Sequence, residues 1–250
     1  MKKLVLGIVF VLFSQIIFAQ DESEEYQQRK NIVKVNVTAL AFSNFYFQYE
    51  RVLSKRSSLA LGISTTPNRG IPFSDQFETS FVDGNDEFSF KDAKFGYFSI
   101  TPEYRLYLGK GYGKGFYFSP YFRYSKISVD GIRFSYENDL GIDKFATVKG
   151  DLTTKSFGLM LGVSFNLSKS LVLDWWILGA GYGSANANMD ILTDFKLSAT
   201  EQERVRQEIE DLDIKEVNEE ITINENGGNV KINNSPWLGV RSGLSLGFRF

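Results

Sequence analysis

The chain has 250 residues, a net charge of −2, and 23 Phe, 12 Tyr and 3 Trp, but neither Cys nor His. Without Cys there is no disulfide, no thiolate nucleophile and no Cys-bound metal, and without His the commonest general base and metal ligand are missing. The charge balance gives no reason to expect a nucleic-acid partner. Composition therefore predicts no cofactor, no metal site and no catalysis that depends on His or Cys.

The N-terminus has the features of a secretory signal peptide. Lys2 and Lys3 precede an almost wholly apolar stretch that ends at Phe18, and Ala19 offers a small residue for cleavage. The alternative is a membrane anchor, but the stretch is shorter than the roughly 20 residues that a spanning helix needs. We predict a signal peptide over residues 1–19, a polar leader over 20–30 and one exported domain over 31–250.

From Asn31 onward the chain repeats one pattern, an alternating apolar and polar segment followed by a break. Such alternation predicts β-strands that have one apolar face. Eight segments show it: residues 32–41, 45–53, 57–64, 95–108, 116–125, 155–165, 171–182 and 236–250. The seventh is the least regular, because Trp176 and Leu178 share the face of Asp174. Eight is an even number, as in single-chain bacterial outer-membrane barrels.

The breaks between these segments alternate in length. Three are short, at residues 54–56, 109–115 and 166–170, and three are long, at residues 65–94, 126–154 and 183–235. The break after the first segment is also short. Outer-membrane barrels have short periplasmic turns and longer external loops. The sequence therefore predicts an all-β, antiparallel, up-and-down transmembrane β-barrel of about eight strands, with both termini on the periplasmic side.

The composition of the two faces indicates which one points inward. The apolar faces carry mainly Phe, Leu, Val and Ile, too many large groups for an eight-stranded barrel, whose interior is just wide enough to be filled by side chains. The opposite faces mix small residues with charges that would have to pair in a narrow lumen. We predict an inward structural network of Lys34, Glu50, Glu103, Arg105, Arg123, Asp174, Arg241 and Arg249. The alternative is a soluble lipocalin-like barrel with its apolar residues inside.

Residues 183–235 form the longest predicted loop and contain two structural signals. Residues 200–203 (Thr-Glu-Gln-Glu) match a capping box. Three apolar residues then recur at helical spacing: Val205, Ile209 and Leu212. Residues 220–233 alternate around an Asn-Gly-Gly sequence and predict a hairpin. We therefore expect an ordered extracellular lobe that contains a short helix.

Two other runs of residues carry no site. The glycine-rich, basic run 109–115 lacks the spacing of a phosphate-binding loop and predicts a flexible periplasmic turn. The acidic run 83–87 is followed by Phe88 where a calcium-binding loop needs glycine. It predicts a hairpin turn instead.

Two parts of the chain resemble a known family. Residues 34–40 (KVNVTAL) and 47–53 (FQYERVL) resemble uncharacterised outer-membrane barrels in which a KxN strand precedes a YER strand. The alternating C-terminal residues Leu244, Leu246, Phe248 and Phe250 resemble the signal that the barrel-assembly machinery recognises. The resemblance is strongest over residues 31–64 and 236–250. It implies the barrel fold and the cell outer membrane, but no activity.

These observations lead to two functional hypotheses. The first is a non-enzymatic surface protein, anchored in outer-membrane lipid, whose loops bind an extracellular ligand of unknown nature or stabilise the envelope. Outer-membrane phospholipases, lipid A acyltransferases and deacylases, and omptin-like proteases rely on a His in the site, so none of their mechanisms can be carried over to this chain. A Ser–Lys dyad or a pair of the inward carboxylates stays open as a catalytic alternative, but the sequence predicts no catalytic residues. The second hypothesis is a transport barrel. Eight strands leave no open aqueous channel, which argues against a general porin and leaves a small gated path for a solute.

Overall fold

The structure is a computed structural model that describes residues 29–70, 88–89, 92–109, 111–210 and 218–250. The predicted signal peptide, most of the predicted leader and the acidic run 83–87 lie outside the described residues. Within the described ranges, no helix has both the length and the apolar character required to cross a membrane.

The described residues form ten strands and two helices. The strands are β1 (Asn31–Asn36), β2 (Phe45–Val52), β3 (Ser57–Gly70), β4 (Phe88–Ser89), β5 (Lys94–Tyr107), β6 (Gly115–Glu137), β7 (Asp143–Asn166), β8 (Leu171–Thr193), β9 (Asn218–Asn224) and β10 (Gly227–Arg249). The helices are α1 (Val37–Leu40) and α2 (Ala199–Glu210).

Eight of these strands close into a ring. Antiparallel pairing runs in the order β1-β2-β3-β5-β6-β7-β8-β10, and β10 also pairs with β1. At this seam Val33 lies opposite Phe248 and Val35 lies opposite Leu246. Closure pairs the edge strands with each other, which is how a sheet satisfies its backbone groups in lipid. The predicted antiparallel, up-and-down, eight-stranded barrel with a short helix is confirmed.

The barrel has its polar residues inside. Large apolar side chains lie on the outer face, where Phe47, Leu161 and Phe248 are each more than half exposed. Charged side chains lie on the inner face, where Glu50 and Asp174 are fully buried. This arrangement is the opposite of the one in a lipocalin-like barrel, which the sequence left open as an alternative.

Four strands extend far beyond the predicted segments: β6, β7, β8 and β10 each have 23 or 24 residues. Residues 126–154, predicted as a loop, instead continue β6 and β7 as far as a tight turn at residues 138–142. The break after β8 spans residues 194–226 and not 183–235. The prediction was wrong because the apolar alternation of β7 moves from odd positions (Phe157, Leu159) to even positions (Ala146, Val148) within one unbroken strand.

The extended strands form a lobe that continues one side of the barrel wall. Strand β9 pairs with the outer end of β10 through a hairpin whose turn lies at residues 225–226, within the hairpin region expected from the sequence. Helix α2 packs on the sheet, and the core of the lobe consists of Phe134, Tyr136, Ala146, Ile191, Leu197, Val205 and Val230. The described residues between β8 and β10 therefore include helix α2, which covers the sheet of the lobe, and strand β9, which extends it.

Helix α2 is capped two residues earlier than predicted. The Glu201 backbone N–H donates to Ser198 Oγ over 3.2 Å, and the Ser198 N–H donates to the Glu201 carboxylate over 2.8 Å. The capping box is therefore Ser198 to Glu201 and not Thr200 to Glu203. Both stretches fit the same sequence pattern, and the chain adopts the one in which the helix begins directly after Ser198.

Two local departures from alternation also correct the prediction. Strand β1 ends at Asn36, whose side chain accepts from the Ala39 N–H and caps the short helix α1, although the segment was predicted to run to residue 41. In β8 the pairing register shifts between Trp176 and Leu178. This bulge leaves Trp176 buried inside and turns Leu178 outward, away from the face that it was predicted to share with Asp174.

Candidate functional site in the barrel lumen

The eight charged residues predicted to point inward all have their side chains on the lumen face of the barrel. Six of them join one network: Lys34, Glu50, Glu103, Arg105, Asp174 and Arg241. Arg123 and Arg249 lie outside this network, towards opposite ends of the lumen. The strand registers bring the six together, since they come from β1, β2, β5, β8 and β10.

At the centre of the network two cations share two carboxylates. Lys34 Nζ lies 2.5 Å from Glu50 Oε2 and 2.6 Å from Asp174 Oδ2. Arg105 Nη1 lies 2.7 Å from the same Asp174 oxygen and 3.1 Å from the same Glu50 oxygen. All four side chains are fully buried. Each charge is therefore neutralised by two opposite charges, which is the condition under which ions are tolerated away from water.

A second group of contacts extends the network across the lumen. Arg105 Nη2 donates to Gln48 Oε1 over 2.9 Å and lies 3.1 Å from Glu103 Oε2. Glu103 Oε1 in turn lies 2.8 Å from Arg241 Nη1. The network thus contains three cations and three carboxylates, and its net charge is zero.

Neutral hydrogen-bond donors occupy further positions on the two central carboxylates. The Tyr107 hydroxyl donates to Glu50 Oε1 over 2.6 Å, and the Tyr117 hydroxyl donates to Asp174 Oδ1 over 2.9 Å. The Arg105 guanidinium lies 4.5 Å from the centroid of the Tyr117 ring. Since both oxygens of each carboxylate are engaged, the arrangement is suited to holding strands together. It leaves no carboxylate oxygen of this pair free for acid–base chemistry.

The tyrosines of the lumen lie over glycines on neighbouring strands. A Cβ added at Gly162 would lie 2.4 Å from the Tyr117 hydroxyl, and a Cβ added at Gly158 would lie 2.5 Å from the Tyr121 hydroxyl. The rings therefore rest on backbone that only glycine exposes. The alternation of the fifth segment placed Tyr121 on the inward face beside Arg123. The predicted network contained no tyrosine, although Tyr107 and Tyr117 share the strand positions of the inward charges and could have been found by that signal.

The end of the lumen next to the chain termini is closed by apolar side chains. Ile32, Val52 and Val172 are buried together there, and Tyr112 packs against them. Tyr112 belongs to the glycine-rich turn, which the sequence predicted to be flexible. The turn is instead held over this end of the barrel, since the Tyr112 N–H donates to Lys55 O over 2.7 Å. Its positive φ values at Gly111 and Gly113 permit this return of the chain.

The two remaining arginines have different surroundings. Arg249 is buried at the closed end, where its guanidinium donates to the backbone oxygens of Arg29 and Gly113. Arg123 lies in the opposite half of the lumen and is partly exposed. Its Nε donates to Thr101 Oγ1 over 3.2 Å, and no described carboxylate lies within 4.0 Å of its guanidinium.

The four residues of the predicted assembly signal lie along the outer face of β10 and the chain end. Leu246, Phe248 and Phe250 are exposed there, and the last two rings stack with centroids 6.4 Å apart. The Phe250 N–H donates to Asn31 O over 2.9 Å, so the C-terminal residue is tied to β1 at the seam. Leu244 lies at the other end of this row, where its N–H donates to Thr38 Oγ1.

The described residues contain no group of three or more His, Cys, Asp or Glu side chains that could hold a metal ion. No curated protein matches the chain. Among solved structures it is similar to a major outer membrane protein from Thermus thermophilus, with 16% sequence identity and a TM-score of 0.43, over 88% of this chain and 98% of that one. Residues 8–207 match the family described as "Protein of unknown function (DUF3575)". Because this match covers most of its length, the chain belongs to the DUF3575 family.

Proposed function

We propose that the protein is a non-enzymatic β-barrel of the cell outer membrane, exported by its N-terminal signal, whose function is performed on the outer surface. The extended lobe would bind an extracellular ligand or support the envelope, and the barrel would anchor it in outer-membrane lipid. The observation that carries this proposal is the apolar outer face of the barrel.

That outer face has a sharp boundary. On β7, Phe157, Leu159 and Leu161 are more than half exposed. Soluble proteins rarely expose apolar surface over so wide an area, whereas a membrane barrel presents a band about 25 Å tall to lipid. Beyond Phe157 the outer face becomes polar, and Lys126 lies 2.9 Å from Asp151 on this face. The lobe therefore begins where the apolar band ends.

The two ends of the barrel support one direction of insertion. The end that holds both termini has the short turns between β2 and β3, β5 and β6, and β7 and β8. The other end carries the lobe. In outer-membrane barrels the short turns are periplasmic and the long connections are external, which supports an extracellular lobe.

Three observations support a non-enzymatic role without a through-going channel. The chain lacks His and Cys, the central carboxylates are engaged in ion pairs and hydrogen bonds, and the terminus-bearing end of the lumen is closed by Ile32, Val52, Val172 and Tyr112. We expect the protein refolded in planar bilayers to show no steady conductance. A stable ion current would favour the solute-transport function instead.

Three measurements test this proposal directly. The purified protein should migrate faster on detergent gels before boiling than after it, and it should be recovered in the outer-membrane fraction. Protease added to intact cells should cut within residues 194–226. If cleavage requires a permeabilised outer membrane, the orientation is inverted. If the protein is found in the soluble periplasmic fraction, the membrane proposal fails.

The C-terminal strand provides a test of the proposed barrel-assembly partner. Deleting Phe250 removes an apolar group on the outer face and the two backbone hydrogen bonds that Phe250 exchanges with Asn31. We expect lower outer-membrane levels and an envelope stress response. Phe195→Ala serves as a control, because it removes an exposed phenylalanine from the lobe. Normal levels of the Phe250 deletion would argue against recognition of this signal.

A further inference from the structure

The two ends of the lumen differ in a way that the proposed function does not explain. The terminus-bearing end is sealed by apolar side chains and by the folded-back turn at Tyr112. The half next to the lobe is lined by small and hydroxylated side chains instead, among them Ser64, Ser99, Thr101, Ser125, Thr154 and Ser156. The lumen is therefore apolar at its closed end and rich in hydroxyl groups in the half next to the lobe.

This polar half contains an excess of positive charge. Both Arg123 and Arg241 lie near the Tyr121 ring, with their guanidinium carbons 6.0 Å and 4.8 Å from its centroid. The charge of Arg241 is matched by Glu103 at 2.8 Å. No carboxylate of the described residues lies within 4.0 Å of the Arg123 guanidinium. Among the described residues, the only hydrogen bond of the Arg123 side chain is the one to Thr101.

Unpaired donors lie in the same half of the lumen. Ser99 Oγ and Arg241 Nε are buried and have no hydrogen-bond partner among the described residues. Ser99 is two residues from Thr101 on the same face of β5, and it lies directly opposite Ser125 of β6. A buried polar group without a partner destabilises the folded protein. An anion bound beside Arg123 could accept hydrogen bonds from these donors and neutralise the charge of the guanidinium.

The wall across from Arg123 leaves space for such an anion. Register pairs place Arg123 opposite Ser156, Ser156 opposite Gly183, and Gly183 opposite Trp237, so these four residues form one level of the barrel. Gly239 lies two residues after Trp237 on the same face of β10, and the only atom within 4 Å of a Cβ added there would be Trp237 Nε1, at 3.5 Å. No side chain therefore fills the space in front of Gly239, and the Trp237 indole supplies a further N–H donor beside it.

We propose that this half of the lumen is a binding pocket for a small solute that carries an oxyanion group, held by Arg123 with help from Ser99, Arg241 and Trp237. A guanidinium whose two terminal nitrogens are open can bind an oxyanion through two parallel hydrogen bonds. The solute would enter from the lobe side, because the opposite end is sealed. This assignment rests on the proposed outer-membrane orientation for its extracellular source.

The test is calorimetric titration of inorganic phosphate into the full chain, refolded in phosphatidylcholine nanodiscs in a phosphate-free buffer. We expect saturable binding at one site. Arg123→Gln should weaken it about tenfold or more, because a buried charge contact is removed. Arg123→Lys should restore part of the affinity, since the charge returns without the planar fork. The matched control is Arg133→Gln, which removes an arginine that lies over Phe145 on the lobe.

The outcomes separate this proposal from the membrane proposal. Faster migration before boiling must first show that wild type and Arg123→Gln are folded barrels. Failure of the wild type at that step contradicts the membrane proposal. If Arg123→Gln alone fails to fold, the comparison is made between wild type and Arg123→Lys, and equal phosphate affinity of these two overturns the pocket. Folded wild type that binds no phosphate, or equal loss of binding in Arg133→Gln and Arg123→Gln, overturns the pocket. Competition by nanodiscs of phosphatidylglycerol would assign the oxyanion to a lipid headgroup and overturn the solute source.

Discussion

Strand β7 passes through two regions of the molecule, and its faces reverse their polarity between them. In the barrel its inner residues Ser156 and Ser164 are polar, and its outer residues are apolar. In the lobe the same inner face carries Ala146, which is fully buried, and the outer face carries Lys149, which is exposed. The strand keeps its faces throughout, since its pairing with β8 is unbroken from Ala146 to Leu161. In the proposed membrane location, what changes is the medium outside the wall.

This comparison separates two ways of stabilising one continuous sheet. Outside the barrel the proposed medium is lipid, so apolar residues gain nothing by turning inward, and the interior is held by ion pairs and hydrogen bonds. Outside the lobe the medium is water, so the apolar residues turn inward and are covered by α2. The lobe is therefore stabilised like a soluble domain, and the barrel by closure and by its buried network.

The largest effect is expected from removing a shared cation of the barrel. Arg105→Leu leaves Glu50 and Asp174 fully buried with Lys34 as their remaining cation. Breaking a buried network in this way costs about 3–5 kcal/mol. Urea unfolding of the protein refolded in vesicles would measure the loss. Arg105→Lys is the control that retains the charge. A change below about 1 kcal/mol, as for exposed pairs, would show that the network does not stabilise the barrel.

A comparable effect in the lobe should leave the barrel intact. Leu197 is buried against α2, and Leu197→Ala is expected to cost about 2–5 kcal/mol, as deletions in a hydrophobic core do. The lobe should become sensitive to protease while the barrel keeps its gel mobility before boiling. Loss of that mobility in Leu197→Ala would mean that the barrel and lobe unfold as one unit.

The change of the outer face from apolar to polar predicts responses of different size along β7. Leu161→Arg places a charge on the apolar band and is expected to cost about 2–4 kcal/mol if the residue lies at the middle of the bilayer. Lys149→Leu changes the outer face of the lobe and should alter stability by less than about 0.5 kcal/mol. Unfolding in vesicles would compare the two variants. A harmless Leu161→Arg in a folded barrel would exclude lipid from this face.

The smallest effect is expected at the boundary between the two regions. Lys126 and Asp151 form an exposed pair 2.9 Å apart, with nearly half of each side chain accessible. A double-mutant cycle with alanine should give a coupling below about 1 kcal/mol that falls further in salt. A larger coupling would mean that the pair is desolvated and that the boundary of the apolar band lies further along the strands.

Much of the barrel could be predicted from local patterns. Alternation identified the eight strands and, for residues such as Leu161 and Glu50, the face on which each side chain lies. The hairpin of β9 and β10 and the position of Val205 on the packed face of α2 followed from the same kind of periodicity. The extensions of β6 and β7 did not follow from it. Along these strands the apolar residues move from the outer face to the inner face, and a search for one constant alternation assigns such a stretch to a loop.

The sequence by itself determined the fold class, the strand number, the inward position of the charges and the apolar outer face, since each depends on a period of two residues along one chain. Tertiary structure alone decided which charges meet. Lys34 and Asp174 are 140 residues apart, and Arg105 reaches both Glu50 and Asp174 only because the registers of a closed sheet bring these strands to one level. It also decided that Tyr112 closes one end and that Arg123 lies apart from every described carboxylate, because both depend on packing across the lumen.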